Sequence, residues 1–443
     1  MNRMAVLALG VLGAILVGAG PGRAEVTALV GATVHPVSGP VVENGIVLFE
    51  NGRLTAVGAG LPVPPNARQV DLSGLHVYPG LIEASTNLGL LEIESVDGSR
   101  DVTEPGALNP NARAKVAIHA DSDLIPVTRA NGVLVAHTVM TGSLLSGLSV
   151  IWYLDGWNWE DFTIRDPAGL HIEWPSMVAS HSGWGEPKSE EDQKKEREKA
   201  LEELKEAFDN ARAYRKARDA MAAGGPHHET DVRWEAMIPV LDGTIPVFIH
   251  ADEYNQIEGA LDFAREQEIR IVLVGGRDAW RLTDRLAAGR IPVIVDTIFE
   301  LPRRSWEAYD AVYTVPARLQ AAGVPFCISN GTAYYFTAIV RNLPYAAGMA
   351  SAYGLPPEEA LKSVTLYPAR ILGIQDRLGS LEAGKDATLI VTDGDPLEIR
   401  TRVHLAWIQG EPVDLSSRHT RLYDRYRNRP RTDGAESRLR PGH

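Results

Sequence analysis

The chain has 443 residues, 44% of them apolar and 23% charged, with a formal net charge of −13. That is ordinary for a soluble globular protein and long enough for one large domain plus a smaller one. The negative charge argues against a nucleic-acid or anionic-membrane surface, and a single cysteine, Cys327, excludes an intrachain disulfide.

Residues 1–24 read as a secretory signal peptide. Arg3 supplies a basic start, Ala5 to Ala19 is apolar, and Gly22-Arg23-Ala24 offers small residues for cleavage before Glu25. The run is short for a membrane span and is followed by Gly20-Pro21-Gly22, which sets cleavage above the competing reading of an uncleaved anchor. Cleavage removes Arg3 and Arg23 and no acid, taking the net charge from −13 to −15. The expected location is periplasmic or secreted.

From Val26 to Val77 the pattern is short strands and turns. Val26 to Val34, Gly45 to Glu50 and Leu54 to Gly58 are strand-like, and Asn51-Gly52 marks a hairpin. A second β-rich stretch begins at Glu382 and runs through Val403 to Gln409. Residues 25–76 and 379–415 are therefore expected to join as one composite β-sandwich.

Between them, residues 77–378 alternate strands with helices. Strands are predicted at Gly132–His137, Ile245–His250, Ile269–Val274, Pro292–Asp296 and Pro325–Ser329. Helices follow at Tyr254–Glu268, Asp278–Ala287, Glu307–Ala322 and Thr337–Tyr353. Repeated β-then-α units imply an α/β fold with a parallel sheet. Polar residues at strand ends (His137, His250, Asp296, Asn330) suit a (β/α)8 TIM-like barrel with its site at the C-terminal face. Cys327 lies in an apolar strand and reads as a buried structural thiol. Ser189 to Ala223 carries charges at helical spacing and reads as a solvated helix. Residues 416–443 are arginine-rich and read as a mobile tail.

Three stretches carry a resemblance. The first is Glu43-Asn44-Gly45-Ile46-Val47-Leu48 with Asn51-Gly52-Arg53-Leu54. The second is Val77-Tyr78-Pro79-Gly80-Leu81-Ile82-Glu83-Ala84. The third is Thr365-Leu366-Tyr367-Pro368-Ala369-Arg370 followed by Leu378-Gly379-Ser380-Leu381-Glu382-Ala383-Gly384-Lys385-Asp386-Ala387. Together they resemble the amidohydrolase superfamily, close to its secreted, imidazolonepropionase-related branch. The resemblance spans about residues 26 to 413 and is specific for the fold rather than for a substrate.

The resemblance implies a hydrolase of non-peptide carbon–nitrogen bonds in which a divalent metal such as zinc activates water. Its strand-one His-x-His falls on Ser85 and Asn87, which share one side of a strand but are poor zinc ligands. Its strand-five histidine falls on His250. Its strand-six histidine falls near Gly275 or Gly276, and its strand-eight aspartate on Ser329 or Asn330. One of these positions keeps its residue. No metal ligand is assigned, and zinc enters only through the resemblance.

The site residues expected are His250 and Asn330 as catalytic groups, with Ser85, Asn87, Glu83 and His137 around the substrate. Asn330 offers hydrogen bonds but no general base. Glu83, His137, His250 and Asp252 form a weaker alternative metal set, since ligands on separate strands must converge. Ser85 with His250 as a nucleophile pair lacks a visible orienting group. The aromatic residues Trp152, Tyr153, Trp157 and Trp159 read as packing before ligand wall. His181 to Gly185 reads as a lid loop and His227-His228 as surface. Two functions remain: a C–N hydrolase with an atypical, metal-poor site, or a non-catalytic exported ligand-binding or scaffolding protein on the same barrel. The partner expected is a small molecule, with no nucleic acid, no membrane insertion after signal cleavage, and self-association open.

Overall fold

A computed structural model describes residues 26–179, 188–296, 298–332 and 335–429. The segment expected to be a signal peptide (residues 1–24), the His181–Gly185 loop and residues 430–443 lie outside the described residues.

Five strands open the chain: β1 (Thr27–Val34), β2 (Val42–Glu50), β3 (Arg53–Ala59), β4 (Arg68–Asp71) and β5 (His76–Pro79). The β2–β3 hairpin turns at Asn51 and Gly52, whose φ values of 52° and 78° are the left-handed pair that such a turn requires. The next ten are β6 (Leu81–Thr86), β7 (Val133–Thr138), β8 (Leu145–Leu148), β9 (Val150–Tyr153), β10 (Thr163–Arg165), β11 (Leu170–Glu173), β12 (Val247–Ala251), β13 (Ile271–Gly275), β14 (Val293–Val295) and β15 (Phe326–Ile328). Three close the order: β16 (Leu389–Thr392), β17 (Val403–Ile408) and β18 (Glu411–Pro412).

Both ends of the chain share one eight-stranded sheet, ordered β18-β17-β16-β5-β1-β2-β3 with β4 on β1. Its apolar face buries Leu29, Val47, Phe49, Val77, Leu389 and Trp407 in a core of its own.

The middle forms two mixed sheets, β10-β9-β7-β6 and β15-β14-β13-β12-β11-β8. Strands β11 to β15 run parallel. The β8–β9 segment runs antiparallel to β11 on one side and to β7 on the other, so it joins the sheets. This departs from eight parallel strands for a simple reason. The link from Thr138 to Leu145 is too short for a crossover helix, and only an antiparallel return fits. At the far edges, Ile82 N donates to Val364 O (2.9 Å) and Ile328 N to Ser363 O (3.0 Å), so β6 and β15 meet on one connecting segment.

Packed helices include Tyr254–Glu266, held at its start by a Glu253/Gln256 capping box. The charged helix Glu190–Ala222 is capped by Ser189, which accepts from Asp192 N. Only its later turns bury a stripe, Leu204, Ala207, Phe208 and Ala211, where Phe208 meets Phe263 edge-on at 5.4 Å. Within the arginine-rich end, Arg418–Arg427 is a helix with a Ser417/Thr420 capping box, and Arg418 reaches Asp123 at 3.2 Å. Among the described residues no helix is long and apolar enough to cross a membrane.

Candidate functional site

Side chains alternate along a strand, so residues 248, 250 and 252 share one side of β12 and its exit, as do 171 and 173 on β11. The C-terminal ends of β11 to β14 open on a cavity of about 230 Å³ whose lining includes Glu173, His250, Asp252, Asp296, Glu300 and Arg303. Larger hollows lie elsewhere, one of about 520 Å³ at the opposite end of the strands.

Two aspartates face this cavity in different surroundings. Arg303 Nη1 donates to Asp252 Oδ2 at 3.0 Å, an ion pair with the carboxylate, while the buried Asp252 Oδ1 has no hydrogen-bond partner. Burial, with Asp252, Glu300 and Glu83 adding negative charge, pushes Asp296 well above the ordinary carboxyl range. Each carboxylate sits against a glycine. A Cβ at Gly275 would lie 2.5 Å from Asp252 Oδ1, and one at Gly331 would lie 2.6 Å from Asp296 Oδ2. Both glycines have positive φ, 95° and 81°.

The loop over the cavity is pinned by charge. Arg303 also donates to Glu300 Oε1 at 2.9 Å. The buried Arg277 reaches Glu300 at 2.7 Å and Glu307 at 2.9 Å, and Arg304 reaches Asp278 at 2.8 Å.

His250 reaches the cavity as expected, and a second histidine fixes it. His171 Nδ1 lies 3.0 Å from His250 Nε2, so one proton stands between them. His171 is fully buried, stacked on Phe248, and burial pushes its pKa well down, keeping it neutral. His171 Nε2 has no partner. A buried N–H without an acceptor is rarer than a bare acceptor, so the proton belongs on His171 Nδ1. That leaves the proton of neutral His250 on Nδ1, 3.9 Å from Glu173 Oε1.

The other expected site residues lie deeper. Glu83 is fully buried and accepts hydrogen bonds from the Ser329 hydroxyl, Asn330 N (3.2 Å) and Ser85 N (3.3 Å). Burial outweighs these bonds and raises its carboxyl to about 7. Ser85 Oγ is buried without a partner, and Asn87 Nδ2 donates to Val139 O at 2.8 Å. Asn330 Nδ2 donates to Val340 O at 3.0 Å. His137 spends both ring nitrogens locally, on Ala84 O and Ser149 Oγ at 2.7 Å each, and burial lowers its pKa to about 4. Trp152 and Tyr153 are core, Trp157 is exposed, and Cys327 is a buried free thiol. Glu173, His171, Arg303 and Glu300 had not been picked out as site residues. His171 and Glu173 were findable, alternating with Leu170 and Ile172 in Leu170-His171-Ile172-Glu173.

Comparison with known proteins gives a consistent answer. The family described as "Amidohydrolase family" matches residues 314–418. An amidohydrolase of Hapsidospora irregularis is 26% identical over 85% of this chain and 41% of its own length. The amidohydrolase structure from Thermotoga maritima superposes with a TM-score of 0.78 at 27% identity, over 88% of this chain and 99% of that one. The chain thus carries an amidohydrolase-family match, has amidohydrolase homologues and has a structural neighbour among the amidohydrolases. An imidazolonepropionase of Caulobacter vibrioides is 24% identical over 82% of this chain and 91% of its own length. The chain spans about two fifths of the length of the first curated relatives it matches. These amidohydrolase neighbours imply an α/β fold containing a TIM barrel.

The family usually binds metal, so the donor set must be tested against one. Among the described residues no three His, Cys, Asp or Glu side chains are placed to hold an ion. Glu83 is enclosed by Ser329, Asn330 and Ser85, and the space at Gly275 is taken by Asp252. In this arrangement the residues do not fit a three-ligand metal site, and no step below is routed through one.

Proposed function

We propose that this chain is a hydrolase of non-peptide C–N bonds whose site is the cavity at the ends of β11 to β14. The observation that carries the reading is one cavity holding Asp252, ion-paired with Arg303, beside Asp296, whose carboxyl is pushed upward by burial. An ion-paired carboxylate and a carboxyl raised by burial supply a base and an acid in one site. In the proposed reaction Asp252 Oδ1 takes a proton from water as its oxygen attacks the amide carbon. His250 Nδ1–H hydrogen-bonds the carbonyl oxygen as negative charge develops there. Asp296 gives its proton to the departing nitrogen as the C–N bond breaks, and solvent returns the proton from Asp252 to Asp296.

The test is a screen of lactams, imidazolones and small amides with the full chain, followed by Asp252→Asn and Asp296→Asn. Each variant should lose about 10²-fold or more in kcat, the scale of one acid or base. Turnover undiminished in both would overturn the assignment.

A second reading, an exported ligand-binding or scaffolding protein without catalysis, draws support from the Arg303 clasp on Asp252 and Glu300. It requires saturable binding to the same cavity with no turnover. In either reading we assign the two chain ends to a composite sandwich-like domain, residues 77–378 to a closed barrel, and residues 1–24 to a cleaved signal. Mass spectrometry of the protein recovered from the periplasm should then find Glu25 at the N-terminus.

A further inference from the structure

A second hollow lies at the other end of strands β12 to β15, away from the candidate site. It measures about 520 Å³ and is entered beside Pro246, Pro292 and Pro325, each just before a parallel strand. Four arginines line it: Arg165, Arg270, Arg290 and Arg370. No aspartate or glutamate does. In a chain with 57 acids against 44 bases, this concentration of one sign runs against the composition.

Most arginines of the fold are paired with carboxylates. Arg53, Arg113, Arg129, Arg277, Arg303 and Arg304 each reach one within 3.2 Å. Among the described residues, none of the four around this hollow forms an ion pair. Arg165 is instead fixed by backbone carbonyls, donating to Leu372 O and Thr244 O at 3.3 Å. Arg270 Nη2 reaches the same Thr244 O at 3.5 Å. Two guanidinium groups thus share one carbonyl, and burial together with the neighbouring Arg270 charge pushes the pKa of Arg165 down. Arg290 ends the helix Thr283–Gly289 in the left-handed conformation, at φ 49°. Between the arginines the wall is apolar, with Ile269, Ile271, Ile291 and Leu372.

We propose that this hollow is a binding site for a small organic anion, with a phosphoryl or carboxylate group held by the arginines and an apolar body against the isoleucines. Guanidinium groups recognise both anions through paired N–H donors, and an occupant of opposite charge relieves their mutual repulsion. The site is separate from the Asp252–Asp296 cavity and does not depend on what that cavity does.

The test uses the full chain and its thermal stability in phenyl phosphate, benzoate, inorganic phosphate and sodium chloride at matched ionic strength. Phenyl phosphate or benzoate should raise Tm in a saturable way, since a ligand of the native state stabilises it by mass action. Which of the two binds more tightly separates phosphoryl from carboxylate recognition. The Arg270→Ala/Arg290→Ala double variant, exposed positions whose loss spares the core, should weaken binding by about tenfold or more. Arg270→Lys/Arg290→Lys, which keeps charge but not the paired donors, should fall between. Equal stabilisation by chloride, or undiminished binding in the alanine double variant, overturns the site. Inorganic phosphate binding as tightly as phenyl phosphate overturns the apolar subsite.

Discussion

Replacing Glu83 with glutamine tests the electrostatics of the fold most directly. The carboxyl is fully buried, and its pKa rises from 4.5 to about 7 because burial outweighs the hydrogen bonds from Ser329, Asn330 and Ser85. The native state therefore holds this proton more tightly than the unfolded chain does. The stability it contributes is complete below pH 4.5 and is lost as pH rises through about 7. A rise of that size corresponds to about 3 kcal/mol. Glutamine has nearly the same shape and does not titrate. The unfolding free energy of Glu83→Gln minus that of the parent should then climb by about 3 kcal/mol between pH 4.5 and 7 and level off above.

His137 acts in the opposite sense. Its pKa falls from 6.5 to about 4 on folding, so its contribution is present above pH 6.5 and lost as pH drops through 4. The two windows overlap and mask each other in the parent protein, but the subtraction removes His137. The assay is urea unfolding of both proteins across pH 4 to 8. Any fixed offset reports how well the amide fits among its donors; the slope reports the carboxyl. A flat difference would refute the claim that burial dominates at Glu83.

Four further outcomes follow from the geometry. Gly275→Ala should destabilise by about 1–3 kcal/mol, because φ is 95° and the new methyl meets Asp252 Oδ1; unchanged urea stability would count against that clash. Nitrogen-15 spectra of the imidazole rings should show His171 and His250 both protonated at Nδ1, and a His250 proton at Nε2 would reverse the assignment. Arg277→Ala should cost about 1–3 kcal/mol, since Glu300 and Glu307 lose the buried guanidinium between them but keep Arg303 and Arg304, and chemical unfolding measures it. Protein purified from metal-replete medium should hold well below one equivalent of zinc by elemental analysis; a stoichiometric ion would show that the side chains rearrange into a site they do not form here.

Much of this fold was written in local pattern. The strands β7, β12 to β15 and the long charged helix follow from period-two and period-3.6 spacing, and Asn51-Gly52 fixed its hairpin by turn chemistry alone, whereas β11 was not picked out. The β8–β9 segment was harder. Its residues read as apolar or aromatic without a direction, and only the short link from β7 decides that it returns antiparallel. The helix Arg418–Arg427 escaped because its sequence has little apolar periodicity; its start is set by the Ser417/Thr420 capping box. Among site residues, His250 was legible as a polar strand end. The roles of Ser85, Asn87 and Asn330 were not, because a buried side chain's partner on another strand has no signature in linear spacing.

The glycines explain why the missing ligands could be seen but not understood from the chain alone. Gly275 ends β13 where the superfamily resemblance places a histidine, and Gly331 follows Asn330 where it places an aspartate. Read linearly, the first is a loss and the second only adjoins one. In three dimensions each absent side chain makes room for a carboxylate from a neighbouring strand end, Asp252 beside Gly275 and Asp296 beside Gly331. Restoring a histidine at position 275 would therefore collide with Asp252 before it could meet a metal. If the Asp252–Asp296 pair is the working chemistry, Gly275→His should abolish turnover even in zinc-supplemented buffer, while Asp252→Ala/Gly275→His, with the obstruction removed, should fold better than Gly275→His alone. Equal stability of the two, measured by urea unfolding, would mean that the glycine is not there to seat the carboxylate.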